Sequence, residues 1–168
     1  MRRLLVVVAA LLVLASPAAA ARGFRLSSPA FRPGGPIPAR FTCDGADVSP
    51  LLRWTAPPSG TRSLALVVED LSTPQVYTHW LAWAISPRAR SLASGAHPPR
   101  EGRNDFGRSG YGGPCPPNGP AHRYRFRLYA LRVPLRLAAG SDVAAFDRAL
   151  RPGDVLAEPR LVGTYARR

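Results

Sequence analysis

Lysine is missing from this 168-residue chain, whose 23 basic residues are all arginine. Such a wholesale choice follows genome composition, and no function is read from it. Acidic residues number only 10, so the formal net charge is +13. Cysteine is nearly missing too: Cys43 and Cys115 are the only two. No C-x-x-C or helical H-x-x-x-H spacing occurs, so no metal-ligand set of recognisable spacing is present. There is no G-x-S-x-G elbow and no P-loop pattern. No heptad pattern, collagen period or long-period repeat appears, which excludes coiled coils and solenoids. What remains is 46% hydrophobic and 20% charged, which suits neither a disordered chain nor a multi-span membrane protein. The length fits one domain with one core. The 15 glycines and 19 prolines imply many fixed turns and few long helices.

Met1-Arg2-Arg3 is a short basic start, and Leu4 to Leu14 is an unbroken apolar run too short to span a bilayer comfortably. Ala15-Ser16-Pro17-Ala18-Ala19-Ala20 supplies small residues in an A-x-A pattern. This reads as a secretory signal peptide over residues 1–21; an uncleaved anchor is the alternative. No cysteine follows the run closely, so no lipoprotein attachment site is expected. Residues 22–168 are then one exported domain, periplasmic or extracellular. Export bears on Cys43 and Cys115, because an even pair in an oxidising compartment is more often a disulfide than two thiols. Closing a loop of about 70 residues contributes roughly 4 kcal/mol in the chain-entropy model. Two buried thiols, or a reactive Cys115, are the other readings.

The mature chain reads as mainly β. Residues 22–60 are irregular, with short strands expected around Phe41 and at Leu51 to Trp54. Ser63 to Glu69 is a near-continuous apolar run, as in a strand buried on both faces. His79 to Ile85 is a second, rich in aromatics. Residues 94–121 form a Gly/Pro-rich loop of a length that is usually functional or disordered; its aromatics, Cys and His favour function. From Arg123 to Leu131, Arg123, Arg125 and Arg127 alternate with Tyr124, Phe126, Leu128 and Ala130. That predicts a half-buried strand with a cationic outer face. Ser141 to Leu150 predicts the one convincing helix, capped by Ser141, opened by Asp142 and stopped by Pro152-Gly153. Val155 to Tyr165 predicts a last strand or pair, with Pro159 at an edge or bulge.

Polar residues stand at the strand ends. Asp70 closes the first apolar strand, and His79 opens the next. His122 and Tyr124 begin the alternating strand and share a face, roughly 7 Å apart. If these strands are neighbours, the four converge at the mouth of an apolar cavity, the usual form of a small-ligand site. Imidazole and phenol donors suit an anion, and the amides of Gly110 to Gly113 are placed to form a nest. Asp70 would repel a bare anion; it could orient an imidazole, take a ligand ammonium or share a proton. Three unrelated, satisfied polar residues are an equal alternative on spacing alone. A Cys115–His122 dyad is a weaker reading. The Arg row is more often a solvated face than a contact for nucleic acid, lipid headgroups or acidic glycans.

The same residues resemble the phosphatidylethanolamine-binding protein family in its bacterial Raf-kinase-inhibitor-like branch. The matching stretches run in order: Phe41 to Trp54, Ser63 to Asp70, His79-Trp80, Gly110-Tyr-Gly-Gly-Pro-Cys-Pro-Pro-Asn-Gly119, His122-Arg-Tyr-Arg-Phe126 and Leu161 to Tyr165. The resemblance implies a large antiparallel sheet packed beside a smaller one, with one or two short peripheral helices. It implies a small cavity for phosphate-like headgroups or other small anions, lined by Asp70, His79, Pro117, His122 and Tyr124. Tyr77 falls near where the family often has Trp. Two departures stand out: Asp70-Leu-Ser-Thr-Pro74 replaces the usual Asp-Pro-Asp-x-Pro, so Ser72 removes a carboxylate. The chain also stops soon after Tyr165, without the C-terminal helix of animal members, which implies a more open cavity.

These readings point to an exported, non-enzymatic binding protein for a small phosphate- or carboxylate-bearing ligand like a phospholipid headgroup. No cofactor and no metal are expected. Tyr124 and the imidazoles would fix the anion, while Pro117 and aromatic side chains pack its apolar part. The alternative is a protein-interaction module, such as a protease inhibitor or a kinase or signalling inhibitor, using the surface around the cavity loop. A Cys- or metal-dependent hydrolase is a distant third. Peripheral contact with an anionic membrane surface stays open; nucleic acid is not an expected partner.

Overall fold

A large antiparallel sheet lies between a small sheet on one face and a short helix on the other. The computed structural model describes residues 23–167; the segment read as a signal peptide lies outside the described residues. In chain order the strands are β1 (Leu26–Ser27), β2 (Leu52–Trp54), β3 (Ser63–Asp70), β4 (Tyr77–Ile85), β5 (Ser91–Leu92), β6 (Arg100–Glu101), β7 (His122–Leu131), β8 (Val155–Ala157) and β9 (Arg160–Tyr165), with helix α1 (Val143–Ala149) before β8. The small sheet has the order β1-β2-β5, and the large one β6-β4-β3-β7, with β8 and β9 sharing the far edge of β7. The mainly β, two-sheet architecture expected from sequence is what forms. Phe41 departs from expectation: it ends a 3-10 turn, Ala39–Phe41, after Pro38.

Every residue of β3 is buried, because each face of the large sheet has its own core. Leu64, Leu66 and Val68 join Phe126, Leu128 and Ala130 of β7 and Leu26, Leu52 and Trp54 of the small sheet. Ala65 and Val67 face the other way, with Leu81, Trp83, Tyr129 and Leu131, under Phe146 of α1. Seven residues are too few for a helix to stand alone. Burying Phe146 completely contributes about 1.5–3 kcal/mol toward holding it. Asp142, not Ser141, caps α1: its carboxylate accepts from the Ala145 amide at 2.9 Å. Ser141 donates backwards to the Ala138 carbonyl.

The alternation of β7 holds, but its arginine face is not a free solvated surface. Arg125 and Arg127 side chains are only 23% and 22% exposed and both pair with Glu69 of the neighbouring strand. Arg127 also grips Glu158, which in turn holds Arg160. Glu69 pairs with Arg125 across β3 and β7, so the register itself matches opposite charges.

One irregularity positions the site. Val68 pairs with Trp80 and Glu69 with Thr78, so β4 carries one extra residue, His79, at that step. Strict alternation would put Tyr77 and His79 on the face of Leu81 and Trp83. The bulge instead sets Tyr77 opposite Asp70, itself opposite Tyr124, in one row across three strands.

Candidate functional site

Tyr77 and Asp70 of this row, with the residues beside them, border a cavity of about 260 Å³. Its walls include Asp70, Tyr77, His79, Pro117 and His122, as the sequence suggested, with Thr73, Phe106, Cys115 and Pro116 added. Asp70 is 3% exposed and both of its oxygens are engaged. Oδ2 accepts from His122 Nδ1 at 2.7 Å, and Oδ1 accepts from the Ser72 amide at 2.8 Å. Of the three roles open to Asp70, the geometry selects orientation of an imidazole. Ser72, at the position of the missing carboxylate, closes the turn and accepts from the Arg123 amide through Oγ.

His79 is pinned from a different side. Its Nδ1 donates to the Gly112 carbonyl at 2.8 Å. Burial pushes its pKa below the ordinary 6.5, and the Gly112 bond and the charge of Asp70 only partly oppose this. His79 is therefore neutral near pH 7, with Nε2 as its unprotonated nitrogen. With both Nδ1 atoms held, the nitrogen each ring has left for the cavity is Nε2.

Tyr124 stands differently from expectation. It does not line the cavity wall: it is fully buried, one rung deeper, edge-on to His79 at 5.2 Å and stacked on His122 at 6.5 Å. Its hydroxyl has no hydrogen-bond partner, an expensive condition for a buried polar group. Burial, followed by the charge of Asp70, keeps the phenol protonated far above its usual range. A strand residue shares a face with its neighbour two positions on, as expected, but the imidazoles roof this one. Two amides of the expected glycine nest are already used. Gly112 donates to the His79 carbonyl, and Gly113 donates to Asp47 Oδ1.

Asn104 and Phe106 were missed by sequence reasoning. Phe106 packs edge-on against Tyr77 and His79, each at 5.1 Å. Asn104 is 2% exposed and shapes the loop: Oδ1 accepts from the Phe106 and Arg108 amides, and Nδ2 donates to the Gly110 carbonyl. The available signal was the Asn104-Asp105 turn pair with Gly107. Gly112 is required by close approach, since a Cβ there would lie 2.6 Å from the Phe106 ring. Cys43 and Cys115 are joined in a disulfide, which removes the reactive-thiol reading of Cys115 and fastens the cavity wall to the loop after Phe41. Among the described residues, no group of three His, Cys, Asp or Glu side chains is placed to hold a metal.

Comparison with known proteins agrees with this fold. The chain is 43% identical over 150 residues to the UPF0098 protein of Methanothermobacter thermautotrophicus, covering 84% of this chain and 98% of that one. It is 42% identical over 154 residues to LppC of Mycobacterium tuberculosis, named as a candidate lipoprotein, covering 89% of this chain and 76% of the relative. The fold matches the crystal structure of CT736 of Chlamydia trachomatis, described as a candidate phosphatidylethanolamine-binding protein homologue. The TM-score is 0.81 at 36% identity, over 87% of this chain and 99% of that one. The family model "Phosphatidylethanolamine-binding protein" matches residues 27–166: the chain belongs to the phosphatidylethanolamine-binding protein family.

Proposed function

We propose that this protein is an exported, non-enzymatic receptor for a small phosphate- or carboxylate-bearing ligand, held in the cavity between β3, β4 and β7. One observation carries the reading: two imidazoles have Nδ1 fixed by protein acceptors and Nε2 left over beside a hollow, above a buried phenol with no partner. Fixed Nδ1–H bonds set the tautomer and aim of each ring. An anion entering here gains a proton on His79 as it binds, which turns Nε2 into a charged donor. Tyr77, Phe106 and Pro117 supply the apolar walls. The disulfide and the likeness to a relative named as a candidate lipoprotein support action outside the cytoplasm.

The experiment is an NMR titration of inorganic phosphate and phosphorylethanolamine. His79 and His122 ring signals shift on addition, and His122→Ala abolishes the response; silence of both rings at millimolar ligand rejects the site. Binding is strongest in acid and weakens as pH rises from the free-protein value of His79, which lies below 6.5. A second reading, a protease or signalling-kinase inhibitor, draws on Phe106 and Val76, which are 39% and 53% exposed beside the mouth. It requires tight binding of a protein partner with both histidines replaced.

A further inference from the structure

An arginine-rich protein that binds an anion would be expected to place a guanidinium at the anion. Among the described residues, none lines this cavity. Phe106 and Cys115 border this cavity and also a second hollow of about 300 Å³, whose other walls are Cys43, Asp47, Arg108 and Gly113. The Phe106 ring centre lies 5.1 Å from the His79 ring and 5.7 Å from the Arg108 guanidinium carbon. The His79 ring and the Arg108 guanidinium are thus no further apart than those two spans together, a distance one small molecule can bridge.

Arg108 is held ready. Its Nη2 donates to Asp47 Oδ2 at 2.6 Å, and Asp47 is itself fixed by accepting from the Gly113 amide at 2.6 Å. Its stacking on Phe106 restrains the same group from a second side. The side chain is still 55% exposed, and among the described residues only Nη2 of the guanidinium has a partner. Arg127, by contrast, spends its donors on Glu69 and Glu158. A guanidinium positioned by a salt bridge and a ring, with donors unused, is a ready anion receptor.

We infer that Arg108 is a second anion point, and that the ligand carries two anionic groups: a phosphate in the imidazole cavity and a further phosphate or carboxylate reaching across Phe106 to Arg108. This rests on the anion-cavity reading. The test compares a linear butanediol bisphosphate with butyl phosphate by calorimetry, on wild-type protein, Arg108→Gln and Arg108→Lys. Wild type binds the bisphosphate about tenfold more tightly, as one charge-assisted contact predicts. Arg108→Gln loses that gain with butyl phosphate affinity unchanged, and Arg108→Lys recovers part of it. Equal affinities in wild type, or a gain surviving in Arg108→Gln, overturn the inference while the cavity reading stands. Failure of both compounds to bind overturns both.

Discussion

Glu69 and Asp70 are consecutive residues of β3, 6% and 3% exposed, and they face opposite sides of the large sheet. Glu69 meets Arg125 and Arg127, and the chain of charges ends in Glu158 and Arg160. Asp70 meets His122 and the Ser72 amide. Both carboxylates are satisfied; what differs is their partners. On the Glu69 side, guanidiniums end against carboxylates of the protein itself. On the Asp70 side, each imidazole keeps a nitrogen and Tyr124 keeps a hydroxyl. Density of charge therefore does not mark the candidate site. Unused hydrogen-bonding capacity beside a hollow does.

The disulfide belongs to the Asp70 side and gives the largest expected effect. Replacing Cys43 and Cys115 by Ser lowers unfolding free energy by about 2–4 kcal/mol in urea. It also weakens phosphate binding, because Cys115 is part of the cavity wall; unchanged affinity would detach the bridge from the site. Glu69→Gln comes next. It leaves two half-buried guanidiniums short of a partner and costs about 2–3 kcal/mol, measured the same way. Phosphate affinity stays at the wild-type level. A loss of affinity as large as that of His122→Ala would show that the two faces act together.

Acid separates the regions more finely. His79 has a folded pKa below 6.5, so the unfolded chain binds that proton more readily. Stability is intact above pH 6.5 and falls as pH drops below it, by at most about 1.4 kcal/mol per pH unit from this residue. Glu158 responds later. Burial raises its pKa, but hydrogen bonds from Arg127 and Arg160 prevail and hold it below its ordinary 4.5. Its contribution is present above 4.5 and is lost only as pH falls further. Urea unfolding between pH 7 and pH 5 should therefore show a loss that His79→Asn removes and Glu158→Gln does not. Equal slopes in His79→Asn and wild type would sink the assignment of a neutral, buried imidazole.

Much of the fold was legible because its signals are local. The apolar run of β3, the alternation of β7 and the turn at Pro159 each depend on neighbouring residues alone. Asp70, His79, His122, Pro117 and Tyr77 were legible as a set through ordered motifs. The details that sequence missed depend on distant partners. Whether Arg125 and Arg127 face water depends on Glu69 and Glu158. Whether the Gly112 and Gly113 amides are free depends on His79 and Asp47. Tyr124 shares its predicted face, but its depth is set by the rings above it. Phe106 reached the site through a turn organised by Asn104, which no periodicity reports.

The extra residue at His79 has a consequence for variation within this architecture. It acts as a phase change in β4: on its far side, side chains that would have been wrapped against the helix are presented to the cavity. Pairing β4 with β3 in strict register beyond Trp80, with no residue bulged out, would leave the apolar rows of Leu81 to Ile85 in place. Thr78 would then replace Tyr77 opposite Asp70, and the cavity wall would change its chemistry with scarcely any change in the scaffold.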